Sequence, residues 1–166
     1  MASNDTVYVI YIASTPEKVF EALTTATFSK QYFFGFAIEM EPRTGGAFKV
    51  LAPDGSLHID GQWSAHDPPR KLTVIWNVTW PGLVDKLGNT FVTYEIELAG
   101  DAVRLTMTES HERALDDDIL SGGRTGWPAI LSSLKSLLET GQPLAVKMEP
   151  PLRMLAALKK LGIAMP

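Results

Sequence analysis

A stripe of apolar residues at helical spacing near the C-terminus constrains the fold of this chain most strongly. Its members are Trp127, Ile130, Leu131, Leu134, Leu137 and Leu138. The polar residues Ser132, Ser133, Lys135, Ser136 and Glu139 occupy the other positions and predict an exposed face. Pro128 near the start and Gly141 after the end predict a helix over residues 127–140. Glycines at 122, 123 and 126 argue against a start much earlier in the chain.

The apolar stripe of this helix needs a surface to cover, and residues 37–111 supply one. Hydrophobic residues there recur with a period of two, which is typical of strands. Together with 6–12, the predicted strands are 37–40, 45–51, 58–66, 72–79, 90–98 and 103–111. Short turns join them, such as those at 53–56 and 67–70, so we expect antiparallel pairing.

Two short helices are predicted between the first two strands. Ser14 or Thr15 can cap the first of them, and Pro16 suits its first position. The second is expected over residues 27–34, before Gly35. The whole order predicts an α+β, helix-grip fold: a curved seven-stranded antiparallel sheet wrapped around one long C-terminal helix, with a cavity between them.

The composition excludes several classes of protein. The chain has 166 residues, 45% hydrophobic and 20% charged, which is typical of one folded domain and not of a disordered chain. No apolar run is long enough to cross a membrane and no signal peptide is visible, so we expect a cytoplasmic protein. A net charge of −4 disfavours nucleic acid as a partner. The absence of cysteine excludes thiolate nucleophiles and cysteine-ligated metals.

Strand alternation predicts which side chains point toward the cavity. The inward set is Phe48 and Val50, then Ile59, Gly61, Trp63 and Ala65, then Leu72, Val74, Trp76 and Val78, then Val92, Tyr94, Ile96 and Leu98, then Val103, Leu105, Met107, Glu109 and His111. From this set and the helix we predict a group of ligand-binding residues. They are Phe48, Trp63, Val74, Trp76, Tyr94, Met107, Glu109, Trp127 and Ile130.

Glu109 is the charged member of that group. A carboxylate in an apolar cavity could orient a hydroxyl or amine of a ligand, or act as a general base. Alternatively, it reaches solvent or pairs with Arg113 or Arg124. Tyr94 and Trp76 could offer polar groups to a ligand or serve as core aromatics, and for Trp127 packing is favoured.

Other residue clusters carry less weight. His58, Asp60 and His66 share the polar face of one strand, for which a solvated face is the preferred interpretation, so no metal site or cofactor is predicted. Ser110 and His111 with the aspartates at 116–118 resemble a catalytic triad only by residue type, since no nucleophile elbow is present.

Five stretches in this order resemble the family of heat-shock protein 90 ATPase activator homologues, within the START-like (SRPBCC) superfamily. They are ASTPEKVFEALTTATFSKQYF (13–33), GGAFKV (45–50), GQWSAHDPPRKLTVIW (61–76), TFVTYEIEL with VRLTMTES (90–98 and 103–110), and GWPAILSSLKSLLETG (126–141). The resemblance implies the same helix-grip fold with a hydrophobic cavity, and a link to chaperones and stress response.

We therefore expect a START-like domain over residues 1–141 and a C-terminal extension over 142–166. The extension carries a net charge of +3 against −7 for the rest, with Leu152, Leu155 and Leu158 predicting a short helix. That helix should dock on the mouth of the cavity or on a second subunit, and a homodimer is slightly favoured. Three functions stay open: binding of a small hydrophobic molecule without catalysis, which is favoured; an aromatase/cyclase or hydrolase type of enzyme using Glu109 and Tyr94; and association with a chaperone.

Overall fold

The computed structural model describes residues 4–66 and 69–165. The strands are Thr6–Ile12 (β1), Ala37–Met40 (β2), Ala47–Leu51 (β3), Leu57–His66 (β4), Lys71–Ile75 (β5), Asn77–Val78 (β6), Thr90–Ala99 (β7) and Ala102–His111 (β8). The helices are Pro16–Thr24 (α1), Ala26–Tyr32 (α2), Leu83–Leu87 (α3), Asp117–Thr140 (α4) and Leu152–Lys160 (α5). Thr15 caps α1 through its side chain, as predicted. Part of the predicted 67–70 turn lies outside the described residues.

The strands form one antiparallel sheet in the order β1-β8-β7-β5-β4-β3-β2, with β6 paired to β4. The predicted helix-grip fold is confirmed. The predicted strand 72–79 is divided at Trp76, so that β5 and β6 pair with different parts of β4. Gly61 lies at this division, where a Cβ atom would come within 1.7 Å of the carbonyl oxygen of Ile75. The backbones can approach this closely only because residue 61 has no side chain.

Helix α4 is longer than predicted. It begins at Asp117, ten residues before Trp127, and carries Pro128 in its interior. The expectation of a late start was wrong because two of the three glycines serve tertiary packing. A Cβ atom at Gly122 would lie 2.2 Å from Met154 Sδ, and one at Gly123 would lie 2.6 Å from Glu109 Oε1. Close packing at these positions outweighs the weak helix propensity of glycine.

The core lies between α4 and the concave face of the sheet. Leu134 is fully buried there, and most of the predicted inward strand side chains are buried with it or pack against it. Leu98 is an exception at 73% exposed, because the described β5–β7 pairing begins at Lys71 opposite Glu95 and does not extend to Leu98. The side chain of Ala65 lies outside the described residues.

One residue of the polar face predicted for α4 is not exposed. Ser133 was expected to be exposed but is fully buried. Its Oγ accepts a hydrogen bond of 3.2 Å from the backbone N–H of Leu144. The C-terminal extension therefore covers part of the helix face that was predicted to be solvated.

The C-terminal extension docks on its own chain. Met154, Leu158 and Ile163 are buried in a second apolar cluster, to which α3 and Ile119 of α4 also contribute. Helix α3 lies between the predicted strands 72–79 and 90–98, where no helix was predicted. Of the two surfaces considered for the extension, the structure shows the one beside the cavity, while Leu152 remains 83% exposed. No helix among the described residues is both long and apolar enough to span a membrane.

Candidate ligand pocket

A pocket of about 850 Å³ lies between the sheet, the N-terminal half of α4, helix α3 and the C-terminal extension. Four aromatic side chains form a continuous wall of this pocket: Phe33, Phe36, Trp76 and Trp127. The rings of Phe33 and Trp76 are nearly parallel, with centroids 6.1 Å apart, and those of Trp76 and Trp127 are 5.1 Å apart. This wall offers flat apolar surfaces that suit an aromatic or other hydrophobic molecule.

Two buried ionisable side chains, Glu109 and His111, lie side by side in the lining of the same pocket, which also includes His58, Lys147 and Glu149. Glu109 accepts a hydrogen bond of 2.7 Å from Trp127 Nε1 through Oε2, and its Oε1 lies 3.5 Å from His111 Nε2. The other ring nitrogen of His111, Nδ1, lies 3.1 Å from Thr90 Oγ1. The side chains of Glu109 and His111 are 9% and 6% exposed. The pocket is therefore mainly apolar, with one compact buried polar pair.

The two arginines considered as partners of Glu109 bind elsewhere. Arg124 contacts Asp117 and Thr6, and Arg113 donates to the backbone carbonyl of Lys86. Glu109 lies inside the protein, as its strand position predicts.

Burial and the nearby Glu109 carboxylate raise the pKa of two tyrosines, Tyr8 and Tyr94. Burial, aided by the negative charge of Glu109, raises the pKa of Tyr8 to about 12. The same two causes raise the pKa of Tyr94. Because a tyrosine is negative only after losing its proton, both effects favour the neutral phenol. Both tyrosines are therefore uncharged at neutral pH.

His58 departs from its predicted place on a solvated face. It is half-buried, lines the pocket and packs its ring against Phe36 with centroids 4.9 Å apart. The β3–β4 register shifts at this point, with Val50 opposite Ile59 and Leu51 opposite Leu57, so His58 is an extra residue in β4. Burial lowers the pKa of His58. Asp60, its presumed neighbour, is exposed, and the side chain of His66 lies outside the described residues.

The structure divides the nine predicted binding residues into two groups. Trp76, Glu109, Trp127 and Ile130 line the pocket. The other five, Phe48, Trp63, Val74, Tyr94 and Met107, are buried in the core and are not among the lining residues. Alternation predicts the face of a sheet but not the position along it, and the pocket lies toward one end. Whether the first group binds a ligand remains a prediction.

Sequence reasoning missed several lining residues. His111 was placed in the inward set with Glu109, which has the same strand parity, but was not among the nine predicted binding residues. Phe33 and Phe36 flank the predicted end of the second helix, and no periodicity marks them. Met148 and Met154 reach the pocket from the C-terminal extension. Their role depends on docking of the extension beside the cavity, which the sequence left open against docking on a second subunit.

The family model described as activator of Hsp90 ATPase homolog 1-like protein matches residues 13–139. This chain belongs to that family. The match begins directly after β1, covers β2 to β8 and nearly all of α4, and ends before the C-terminal extension. It confirms the family resemblance noted above. No curated protein sequence matches the chain significantly.

Solved structures share the fold of this member of the family. Protein MLL2253 from Mesorhizobium loti is 24% identical, with a TM-score of 0.68 over 81% of this chain and 96% of that one. The Aha1 dimer from Colwellia psychrerythraea is 22% identical, with a TM-score of 0.68 over 84% and 98%. PFC0360w, an HSP90 activator from Plasmodium falciparum, is 21% identical, with a TM-score of 0.59 over 75% and 88%.

Proposed function

We propose that this protein binds a small hydrophobic molecule in the pocket between the sheet and α4. The observation that carries the proposal is a pocket of about 850 Å³ whose lining includes a continuous row of four aromatic side chains. Sites for small molecules are typically concave and mostly apolar, with a few polar groups that fix orientation. Glu109 and His111 are such groups here.

Binding without catalysis fits the geometry better than the enzyme that uses Glu109 and Tyr94. Tyr94 is buried and does not line the pocket, so its hydroxyl lacks the access that a reacting substrate requires. Glu109 is held in place by the Trp127 indole and serves to orient a ligand.

A neutral naphthalene dye, prodan, tests the proposal by its fluorescence on binding. We expect one site per native chain. Ala129 lines the pocket from α4, so Ala129→Trp should fill the space and abolish binding. Ser132 lies on the same helix but is exposed and outside the lining, so Ser132→Trp is the matched control and should bind like the wild type.

Two outcomes would contradict binding in this pocket. One is an absence of dye binding to the native protein. The other is equal binding by Ala129→Trp and the wild type, with unfolding transitions in circular dichroism showing that both are folded.

A second candidate function is association with a heat-shock protein 90 chaperone in the cytoplasm, as part of a stress response. It is supported by the description of the family and by the Plasmodium falciparum structure, which is an HSP90 activator. The Colwellia psychrerythraea structure is a dimer, which makes a homodimer a candidate assembly as well. Stimulation of the ATPase rate of a purified chaperone by the full chain would support this function, and an unchanged rate would contradict it.

A further inference from the structure

The pocket contains a hydrogen-bonding nitrogen without a partner. Among the described residues, no group makes a hydrogen bond with His111 Nε2, although its side chain is only 6% exposed. The nearest acceptor, Glu109 Oε1, lies 3.5 Å away, beyond the usual range for a hydrogen bond from nitrogen to oxygen. Buried polar groups are nearly always paired, so an unpaired one on a residue that lines a pocket marks a group that a ligand could satisfy.

The neighbours of His111 define what that ligand group would meet. Thr90 Oγ1 lies 3.1 Å from His111 Nδ1, and a hydroxyl that donates to Nδ1 leaves the ring proton on Nε2. Glu109 Oε2 is already bound to the Trp127 indole, so Oε1 is the oxygen left facing His111. In that tautomer the Glu109–His111 pair presents one donor, Nε2–H, beside one acceptor, Oε1.

We propose that the pocket selects hydrophobic ligands that carry a hydroxyl group on an aromatic ring, a proposal that rests on the function proposed above. A hydroxyl oxygen placed about 2.8 Å from each of two atoms that are 3.5 Å apart can donate to Glu109 Oε1 and accept from His111 Nε2–H. The stacked rings of Phe33 and Trp76 supply the surface for the aromatic body of the ligand.

Other polar groups satisfy this pair less well. An ether oxygen can accept a hydrogen bond from His111 but cannot donate one to Glu109. The Glu109 carboxylate would then be shielded from water without a hydrogen-bond donor in its place, which is unfavourable. A ligand carboxylate would bring a second negative charge next to the buried Glu109 carboxylate. A phenolic hydroxyl both donates and accepts, and its hydrogen bond to a carboxylate is of the strong, charge-assisted kind.

Three probes with one ring system test the selection: 2-naphthol, 2-methoxynaphthalene and 2-naphthoate, each titrated calorimetrically into the full chain. We expect 2-naphthol to bind about tenfold or more tightly than 2-methoxynaphthalene, the difference typical of one charge-assisted hydrogen bond. The carboxylate 2-naphthoate should bind most weakly. Equal affinities for the three probes would overturn the selection and leave the proposed binding function standing. No binding of these probes or of prodan would overturn both.

Variants of the pair separate specific recognition from general loss of the pocket. Glu109→Gln and His111→Gln keep a polar side chain of similar size, and each should reduce the preference for 2-naphthol to less than about threefold. Val84→Ala, a lining position on α3, is the matched control and should weaken all three probes by a similar factor. If circular dichroism shows that one glutamine variant does not fold, the probe affinities of the other variant test the proposal. A tenfold preference that persists in a folded variant would overturn the proposal.

Discussion

Gly123 of α4 offers a direct test of how tightly Glu109 is held. In an exposed helix interior, replacing glycine by alanine stabilises a protein by about 1 kcal/mol. At Gly123 the added Cβ atom would lie 2.6 Å from Glu109 Oε1 and 3.1 Å from its Cδ. A carboxylate at the end of a flexible side chain could usually move aside. This one is buried and bound to Trp127 Nε1, so moving it costs packing and a hydrogen bond.

Overpacking of this kind typically costs about 1–3 kcal/mol, which exceeds or cancels the helix propensity gain. Gly126, three residues later in the same helix, is the matched control, because a Cβ atom there meets Met148 Cε at an ordinary 3.5 Å. We therefore expect Gly126→Ala to raise the free energy of unfolding by about 1 kcal/mol. Gly123→Ala should leave it unchanged or lower it by about 2 kcal/mol.

Urea denaturation followed by circular dichroism measures both free energies. A double-mutant cycle assigns the difference to the carboxylate: in a Glu109→Ala background the clash is gone, and Gly123→Ala should become stabilising. If Gly123→Ala stabilises the wild type as much as Gly126→Ala does, Glu109 is not fixed against the helix and the reasoning fails.

Three further predictions follow from the packing and the pKa shifts. Leu134→Ala should lower the free energy of unfolding by about 2–5 kcal/mol because Leu134 is fully buried. The surface variant Lys135→Ala should lower it by about 1 kcal/mol or less. Equal losses of free energy in urea denaturation would contradict the assigned helix face. Met154→Asp places a charge in the second apolar cluster and should speed amide hydrogen exchange in α5. Leu152→Asp, at an 83% exposed position, should leave that exchange unchanged. Equal exchange protection of α5 in both variants would contradict the docking of the extension. Burial raises the pKa of Tyr32 and of Tyr94, so as pH rises above about 10 the unfolded chain loses protons that the folded chain keeps, and the free energy of unfolding should fall with pH. Tyr94→Phe should make the free energy of unfolding, measured by urea titration at successive pH values, fall less steeply with pH. An unchanged dependence on pH would refute the raised pKa of Tyr94.

Local patterns in the sequence predicted the architecture because each is tied to one element. The stripe from Trp127 to Leu138 could only belong to a helix that covers the sheet. Strand alternation placed Glu109 inside, and the same parity applies to His111. These inferences need only the period of each element and the rule that apolar faces are buried.

The remaining features depend on contacts between distant parts of the chain. Gly122 and Gly123 weaken a helix in isolation. They are favourable here because Met154 packs against Gly122 and Glu109 packs against Gly123, and these contacts are known only from the structure. His58 moved toward the pocket because of a register shift that alternation cannot show. The pocket itself is closed on one side by the C-terminal extension, and the leucines of that extension predicted docking without deciding between the cavity mouth and a second subunit.

The four tryptophans provide the most direct test of the central claim, that a hydrophobic molecule binds in this pocket. Trp76, Trp80 and Trp127 line the pocket, while Trp63 lies outside the lining and donates its indole N–H to the carbonyl of Glu41 over 2.9 Å. Two-dimensional NMR resolves the four indole N–H signals, and titration with 2-naphthol should shift those of Trp76, Trp80 and Trp127 while leaving that of Trp63 in place. Unshifted signals from the three pocket tryptophans at saturating probe, or a shift confined to Trp63, would contradict the account.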